Sequence, residues 1–243
     1  MTPLLEVAGL TKRFGGVTAV EACSFTVEAG TITALIGPNG SGKTTVFNVV
    51  TGYLPADSGL VSFNGRSYPR PDPGTLYRHG LSRTFQQARI FPELTVLDNM
   101  IVAAGHRWHT LFRPRRGHDD LMWATGLLEE FNLAPHADKL AGDLSYGQRK
   151  LLEFASVLMS EPKLILLDEP TAGVNPVLIE AMERHIRYRH AAGITFLIVE
   201  HDMNLVMRLC DPVIVLDRGA RIAAGPPDAV RADPAVLDAY LGD

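Results

Sequence analysis

Residues 37–45, GPNGSGKTT, follow the apolar run TITALIG (31–37), rich in the β-branched residues that suit a buried strand. They precede TTVFNVVTGYL, in which Val46, Val49, Val50 and Leu54 recur at helical spacing. The order is therefore strand, glycine-rich loop, helix. Gly37, Gly40 and Gly42 lack a Cβ, so the loop can curl and aim successive backbone N–H groups at one point. The helix that follows adds the positive end of its dipole. Pro38, Asn39 and Ser41 complete the loop. Lys43 is placed to set a cation on the β- and γ-phosphates, the Thr44 hydroxyl to ligate Mg²⁺, and Thr45 to reach the α-phosphate. This is a nucleotide site.

The 243 residues suffice for one large domain, or a domain with a subdomain. Lys and Arg number 23 against 27 Asp and Glu, a net charge of −4, so a general electrostatic grip on nucleic acid is not expected. Cys23 and Cys210 have no motif around them and are expected to be reduced and packed inside. The opening MTPLLEVAGLTKRF carries an early Glu and no long apolar core, unlike a secretion signal. The apolar runs LILL and ITFLIV fall far short of a membrane span, so any membrane role is expected to come through a partner.

LLEVAGL and AVEACSFTVEAG read as strands of an initial antiparallel layer, turning at Gly15-Gly16 and Gly30. A short strand, LVSFNG (60–65), and a Pro-rich stretch (69–73) follow the loop and its helix. From residue 95 to about 160 the segments TVLDNMIVAAGHRW, DDLMWATGLLEEFNL and SYGQRKLLEFASVLMS all look helical, a helical subdomain. The connector RWHTLFRPRRGHDD (107–120) reads as a solvated loop, with contact to anionic headgroups or a partner chain as the alternative. Strand logic resumes at KLILLDE (163–169), where unbroken LILL suits a parallel strand covered on both faces. Helix (177–191), buried strand ITFLIVE (194–200), helix MNLVMRL, a hairpin from DPVIVLD and ARIAAG, and short closing helices complete the chain. Strand–helix alternation on both sides of a helical insertion implies a parallel-sheet core.

Asp168 and Glu169 end the LILL strand. In an open parallel sheet, ligands bind beyond the carboxyl ends of the strands, where the glycine loop also lies. Asp168 is thus expected to hold Mg²⁺ through water, and Glu169 to point at the γ-phosphate and polarise the attacking water.

Together with GPNGSGKTT, the segments LSYGQRK (144–150), LILLDEPTAGVNP (164–176) and EHD (200–202) resemble the ATP-binding subunits of ABC transporters, in the same order and over nearly the whole chain. The resemblance implies a single ABC ATPase domain (1–243) of the α/β P-loop NTPase (RecA-like) class. Its mostly parallel core (1–86 and 161–243) would carry an N-terminal antiparallel β layer and an inserted α-helical subdomain (87–160). It identifies LSYGQ as the signature motif, so that Leu144, Ser145, Tyr146, Gly147 and Gln148 would contact ATP across a dimer, with the Ser145 hydroxyl and Gly147 N–H facing a γ-phosphate. From the residues alone, Ser145 also reads as an N-cap with Gln148 at the third helical position, a capping box. Gln86 matches the Q-loop glutamine that senses γ-phosphate and Mg²⁺, with Gln87 adjacent. His201 matches the switch histidine, its alternative being a helix-start residue. Phe14 matches the aromatic that stacks on adenine, its alternative being a core aromatic of the β layer. Tyr146 stands where Gly is commonest in the signature, and Asn175 where the D-loop usually has Asp. SRTFQQARIFPELTVLDN, AGVNP, VEHDMNLVM and AYLGD are similar to the importer ATPases of branched-chain amino acids.

The resemblance further implies ATP and Mg²⁺ as ligands. The partners it implies are a second ATP-binding subunit, identical or paralogous, transmembrane permease subunits and, indirectly, a solute-binding protein, with no nucleic acid. The place implied is the cytoplasmic face of the inner membrane. The leading expectation is an importer ATPase for branched-chain amino acids or related small polar solutes. The alternatives are the ATPase of a lipopolysaccharide exporter and a soluble ABC ATPase. A P-loop kinase would leave LSYGQ unexplained.

Overall fold

The structure, a computed structural model, describes residues 3–104 and 114–241. It divides into two compact units, residues 1–83 with 163–169 and 183–243, and residues 84–162 with 170–182. The sequence boundaries at 86 and 161 differ from this division in two ways. Gln86 belongs to the second unit, and so does the segment 170–182.

The first unit opens with β1 (Pro3–Phe14) and β2 (Val17–Glu28), an antiparallel pair turning at Gly15, whose φ is +56°. Then come β3 (Ile32–Ile36) and α1 (Lys43–Val50), followed by β4 (Ser58–Phe63) and β5 (Arg66–Tyr68). These last two strands extend the antiparallel sheet in the order β2-β1-β4-β5. The helix stops at Val50, short of the sequence reading: Thr51 caps it, and Leu54 packs against the core from the following turn.

The Pro-rich stretch leads directly into regular structure. Asp72 accepts from Thr75 N–H at 2.7 Å and caps the short α2 (Pro73–Arg78), which leads to β6 (Leu81–Arg83). In the second unit, α3 (Val96–Ala103), α4 (Pro114–Glu130) and α5 (Tyr146–Leu158) follow. The chain then runs through β7 (Leu164–Asp168), α6 (Pro176–Ala191), β8 (Thr195–Val199) and α7 (Met203–Leu209). It finishes with β9 (Val213–Asp217), β10 (Ala220–Gly225), α8 (Pro227–Ala232) and α9 (Pro234–Leu241). Of the arginine-bearing connector, residues 107–113 lie outside the described residues, and from Pro114 the chain is helix rather than loop.

The second sheet has the order β10-β9-β3-β8-β7-β6, parallel except for the β9–β10 hairpin. Every residue of β3, β7 and β8 is buried, which is why these strands show no polar alternation. Val199 pairs with Leu35 on one side and with Asp168 on the other, so the carboxyl ends of β3, β8 and β7 lie level. The apolar face of α1 (Val46, Phe47, Val49, Val50) is buried against Leu10 and Val20 of the antiparallel sheet and Leu35, Leu166 and Leu197 of the parallel one. Each such fully buried side chain contributes about 1.5–3 kcal/mol.

The helical unit has a core of its own. Phe131 and Phe154 meet edge-to-face at 5.6 Å, with Met100 and Leu127 also fully buried there. Thr95 caps α3 by accepting from Asp98 N–H. Cys23 and Cys210 are buried free thiols, pushed by burial up to about 11 and about 12, so both are protonated and poorly nucleophilic at neutral pH.

Glu153 of α5 is buried, and that burial raises its carboxyl from 4.5 to about 7. The folded chain thus holds this proton to higher pH than the unfolded chain, and stability from the group is full below pH 4.5 and lost as pH rises through 7. The wild type should lose about 3 kcal/mol across that window relative to Glu153→Gln, which cannot ionise. Urea unfolding of both proteins at several pH values checks this; parallel pH profiles would refute it.

Candidate functional site

The glycine loop leaves β3 in a conformation closed to other residues. A Cβ at Gly37 (φ +151°) would lie 2.0 Å from the Leu216 carbonyl oxygen, and one at Gly42 (φ +100°) 2.5 Å from that of Ala19. Gly42 is the N-cap of α1, so the helix's first N–H groups open onto the loop. The loop is held from outside as well, by Gly219 N–H donating to the Ser41 carbonyl at 3.0 Å. Lys43 is folded back into this frame. Its Nζ donates to the carbonyls of Gly37 and Pro38 at 2.8 Å each, and to Ser41 Oγ at 3.3 Å. Burial lowers its pKa, opposed by the charge of Glu169.

Asn39, Gly40, Lys43, Thr44, Glu169 and His201 all line one open cavity of about 200 Å³. That is below the roughly 300–1,000 Å³ of pockets that enclose a whole drug-sized ligand, and it suits a phosphate chain better than an entire nucleotide. Glu169 stands just past β7 at φ +47°, a left-handed conformation uncommon outside glycine, and its N–H donates to the Val199 carbonyl at 2.9 Å. His201 Nε2 lies 2.7 Å from Glu169 Oε1. His201 does not start the following helix. Asp202 caps α7, accepting from Asn204 and Leu205 N–H, while His201 N–H donates to the buried Glu200 carboxylate.

Asp168 is buried in an ion pair that the sequence reading missed. Arg83 Nη2 donates to its Oδ2 at 2.6 Å, and both side chains are 5% exposed. The Arg83 guanidinium also donates to Asn48 Oδ1 and Thr51 Oγ1 and lies over the ring of Phe47. The only signal in the sequence was an arginine next to the glutamine pair in SRTFQQ, and nothing local says that it reaches β7 and α1.

Phe14 is 47% exposed, which rules out the core-aromatic alternative; Lys12 Nζ sits 5.5 Å from its ring centroid. A second residue not foreseen is Tyr240 of α9. Burial raises its pKa, opposed by the Gly37 N–H beside its hydroxyl.

In the helical unit, Gln86 is exposed on a loop, and its carbonyl accepts from Lys150 Nζ at 2.6 Å. Leu144 is buried, and the capping box is present: Ser145 Oγ accepts from Gln148 N–H at 3.3 Å, and Ser145 N–H donates to Gln148 Oε1 at 2.9 Å. The Tyr146 ring finds room by lying beside Gly173, with its hydroxyl donating to the Ala172 carbonyl. A Cβ at Gly147 would meet Leu178 at 2.6 Å. Asn175 Oδ1 accepts from Leu178 N–H, so the amide that replaces the usual carboxylate still caps the next helix.

Residues 20–172 match the family described as ABC transporter, and residues 220–243 match the family described as branched-chain amino acid ATP-binding cassette transporter. This chain is an ABC transporter ATP-binding protein. The ABC protein is 41% identical to the high-affinity branched-chain amino acid transport ATP-binding protein BraF of Pseudomonas aeruginosa, over 99% of this chain and 98% of that one. It is 38% identical to its counterpart LivG of Escherichia coli at the same coverage. Among solved structures, a nucleotide-free ATP-binding cassette from an ABC transporter matches at TM-score 0.88 and 36% identity over 100% of both chains. An ABC transporter cassette in its ADP conformation matches at 0.87 and 37%, again over both chains in full.

Arg83 yields a stability prediction for the ABC protein. Removing one partner of a buried pair leaves an uncompensated charge, so Arg83→Leu should cost about 3–5 kcal/mol. Denaturant unfolding measures it, and a loss under about 1 kcal/mol, the size expected of an exposed pair, would show that the pair is not dry.

Proposed function

We propose that this chain is the ATP-hydrolysing subunit of an importer for branched-chain amino acids or related small polar solutes. The observation that carries hydrolysis is the convergence of Lys43, Glu169 and His201 on one cavity over the glycine loop. The solute class is supported by relatives of near-equal length named for branched-chain amino acid transport and by the match over residues 220–243.

In this reading the backbone N–H groups of residues 37–45, with Lys43 and Thr45, bind the phosphates. Lys43 exchanges its bonds to the loop carbonyls for bonds to phosphate oxygens. Phe14, exposed at the end of β1, takes the adenine. The Thr44 hydroxyl and Asp168 carboxylate fit Mg²⁺, a hard cation that accepts one or two protein oxygens alongside phosphates and water. Arg83 keeps the Asp168 carboxylate aimed. Bound Mg²⁺ would supply charge neutralisation on the phosphate oxygens.

Glu169 polarises the attacking water, and its left-handed backbone fixes the direction of the carboxylate. His201, in contact with Glu169, donates to the γ-phosphate and holds phosphate and water in line, a positioning role. Gln86 senses the γ-phosphate. Leu144 to Gln148 of one copy close over the loop of a second ATP-binding subunit, so two Mg-ATP lie in an isologous interface and hydrolysis opens it. The whole chain acts as one ATPase domain, with core and helical subdomain as its parts.

No helix among the described residues is long and apolar enough to cross a membrane. We place the chain at the cytoplasmic face of the inner membrane, bound to permease subunits that receive solute from a binding protein. Docking to the permeases falls on the segment from Gln86 to Leu97, where Phe91 is 56% exposed while Ile90 and Leu94 are half-buried.

The test pairs two variants in one preparation. Glu169→Gln should bind Mg-ATP, accumulate as a closed dimer on size-exclusion chromatography, and hydrolyse about 10²–10⁴-fold more slowly. His201→Ala should keep its ATP affinity and melting temperature while turnover falls sharply. Near-normal turnover in either variant removes that residue from its role.

A further inference from the structure

Residues 85–89, which carry Gln86, form neither helix nor strand, so their backbone groups need partners from elsewhere. Two side chains one turn apart on α5 supply them. Glu153 Oε1 accepts from Phe85 N–H at 3.0 Å and from Arg89 N–H at 3.1 Å. Lys150 Nζ donates to the Phe85 carbonyl at 3.1 Å and to the Gln86 carbonyl at 2.6 Å, the shortest of the four bonds. Positions i and i+3 share a helix face, which puts the acid and the base under the same short loop. The Arg89 guanidinium lies 3.7 Å from the Phe85 ring centroid and closes the loop upon itself.

Burial makes this arrangement costly. Lys150 is 3% exposed and Glu153 5%, and buried charges weaken a fold unless they are paired and hydrogen-bonded. Apolar side chains of similar volume would fill the space under the loop at lower cost, but they could not hold its main chain. The polar ends of both side chains are used on the carbonyls of Phe85 and Gln86 and on the amides of Phe85 and Arg89. They belong to the same helix whose first turn is capped by Ser145.

We propose that Lys150 and Glu153 are positioning residues that fix the main chain of Gln86 to the helix opening at Ser145, so that the glutamine's orientation follows that helix. The proposal rests on the reading of Gln86 as the γ-phosphate sensor. Neither residue contacts nucleotide in this scheme; both act through the backbone at residues 85–89. The pattern is legible in the sequence only afterwards, as the Lys and Glu three residues apart in QRKLLEF.

The experiment uses the full chain with Glu153→Ala, Glu153→Gln, Lys150→Met and Gln86→Ala, read by amide hydrogen exchange and by steady-state ATP hydrolysis. Glu153→Ala should raise exchange at the Phe85 and Arg89 amides about 10-fold or more, because their acceptor is gone. Its kcat should fall about 10-fold, towards that of Gln86→Ala, while KM for ATP stays within about two-fold, the sign of an interaction used after binding. Glu153→Gln retains an Oε1 acceptor and should recover both the protection and most of the turnover. Should Glu153→Ala fail to fold, Lys150→Met, which keeps its aliphatic stem, carries the same expectation of reduced kcat at constant KM. Unchanged exchange at Phe85 and Arg89 in Glu153→Ala overturns the proposal. So does equal loss in the Ala and Gln variants, since a charge requirement without the acceptor would then be at work. If Gln86→Ala itself hydrolyses normally, the sensor reading fails, and the exchange data still decide whether the clamp exists.

Discussion

The first unit depends on a steric fact at the end of β3. The Leu216 carbonyl of β9 approaches so closely that a Cβ at residue 37 would sit 2.0 Å from it, and the Ala19 carbonyl of β2 does the same to residue 42. Two neighbouring strands therefore press directly on the loop backbone, and only glycine admits them. That closeness lets α1 start immediately beyond the sheet edge and run between the two sheets, burying Val46, Phe47, Val49 and Val50 of its eight residues. Loop, helix and both sheets are one packing solution.

Electrostatics are handled in the same dense setting. Lys43 is buried in a loop that also holds its own acceptors, the carbonyls of Gly37 and Pro38, so its cation is satisfied within the loop. Asp168 meets Arg83, and Glu169 meets His201. Lys43, Asp168, Glu169 and His201, proposed to act on nucleotide or metal, thus each have an internal partner to leave or share when the ligand enters. In the proposed cycle, binding is an exchange of partners, which keeps the site ordered in both states.

The buried strands were legible because LILL and TFLIV show no alternation, and a parallel strand covered on both faces allows none. The phosphate loop and the capping box at Ser145 were legible because their physics is local, a matter of three to nine neighbouring residues. What escaped was decided at a distance. The three-residue strand β6 is too short for periodicity to register and exists because Gly80 and Lys163 align it with β7. Arg83, Tyr240, Lys150 and Glu153 look like ordinary charged or aromatic residues until the fold brings them to Asp168, Gly37 and the 85–89 backbone. Phe14 stood undecided between core and ligand, since one aromatic at a strand end has no local tell; its exposure removed the first possibility.

The dryness of the Arg83–Asp168 pair bears on how the protein meets its solvent. Mobile ions weaken interactions between exposed charges over a Debye length of about 8–10 Å, but they screen a pair whose members are both covered much less. The exposed network of Glu183 with Arg187 and Arg208 is open to that screening, whereas the carboxylate at the end of β7 is not. The geometry around Asp168 is thereby insulated from the ionic strength of its compartment, and an osmotic swing that loosens the outside of the molecule leaves this carboxylate aimed as before.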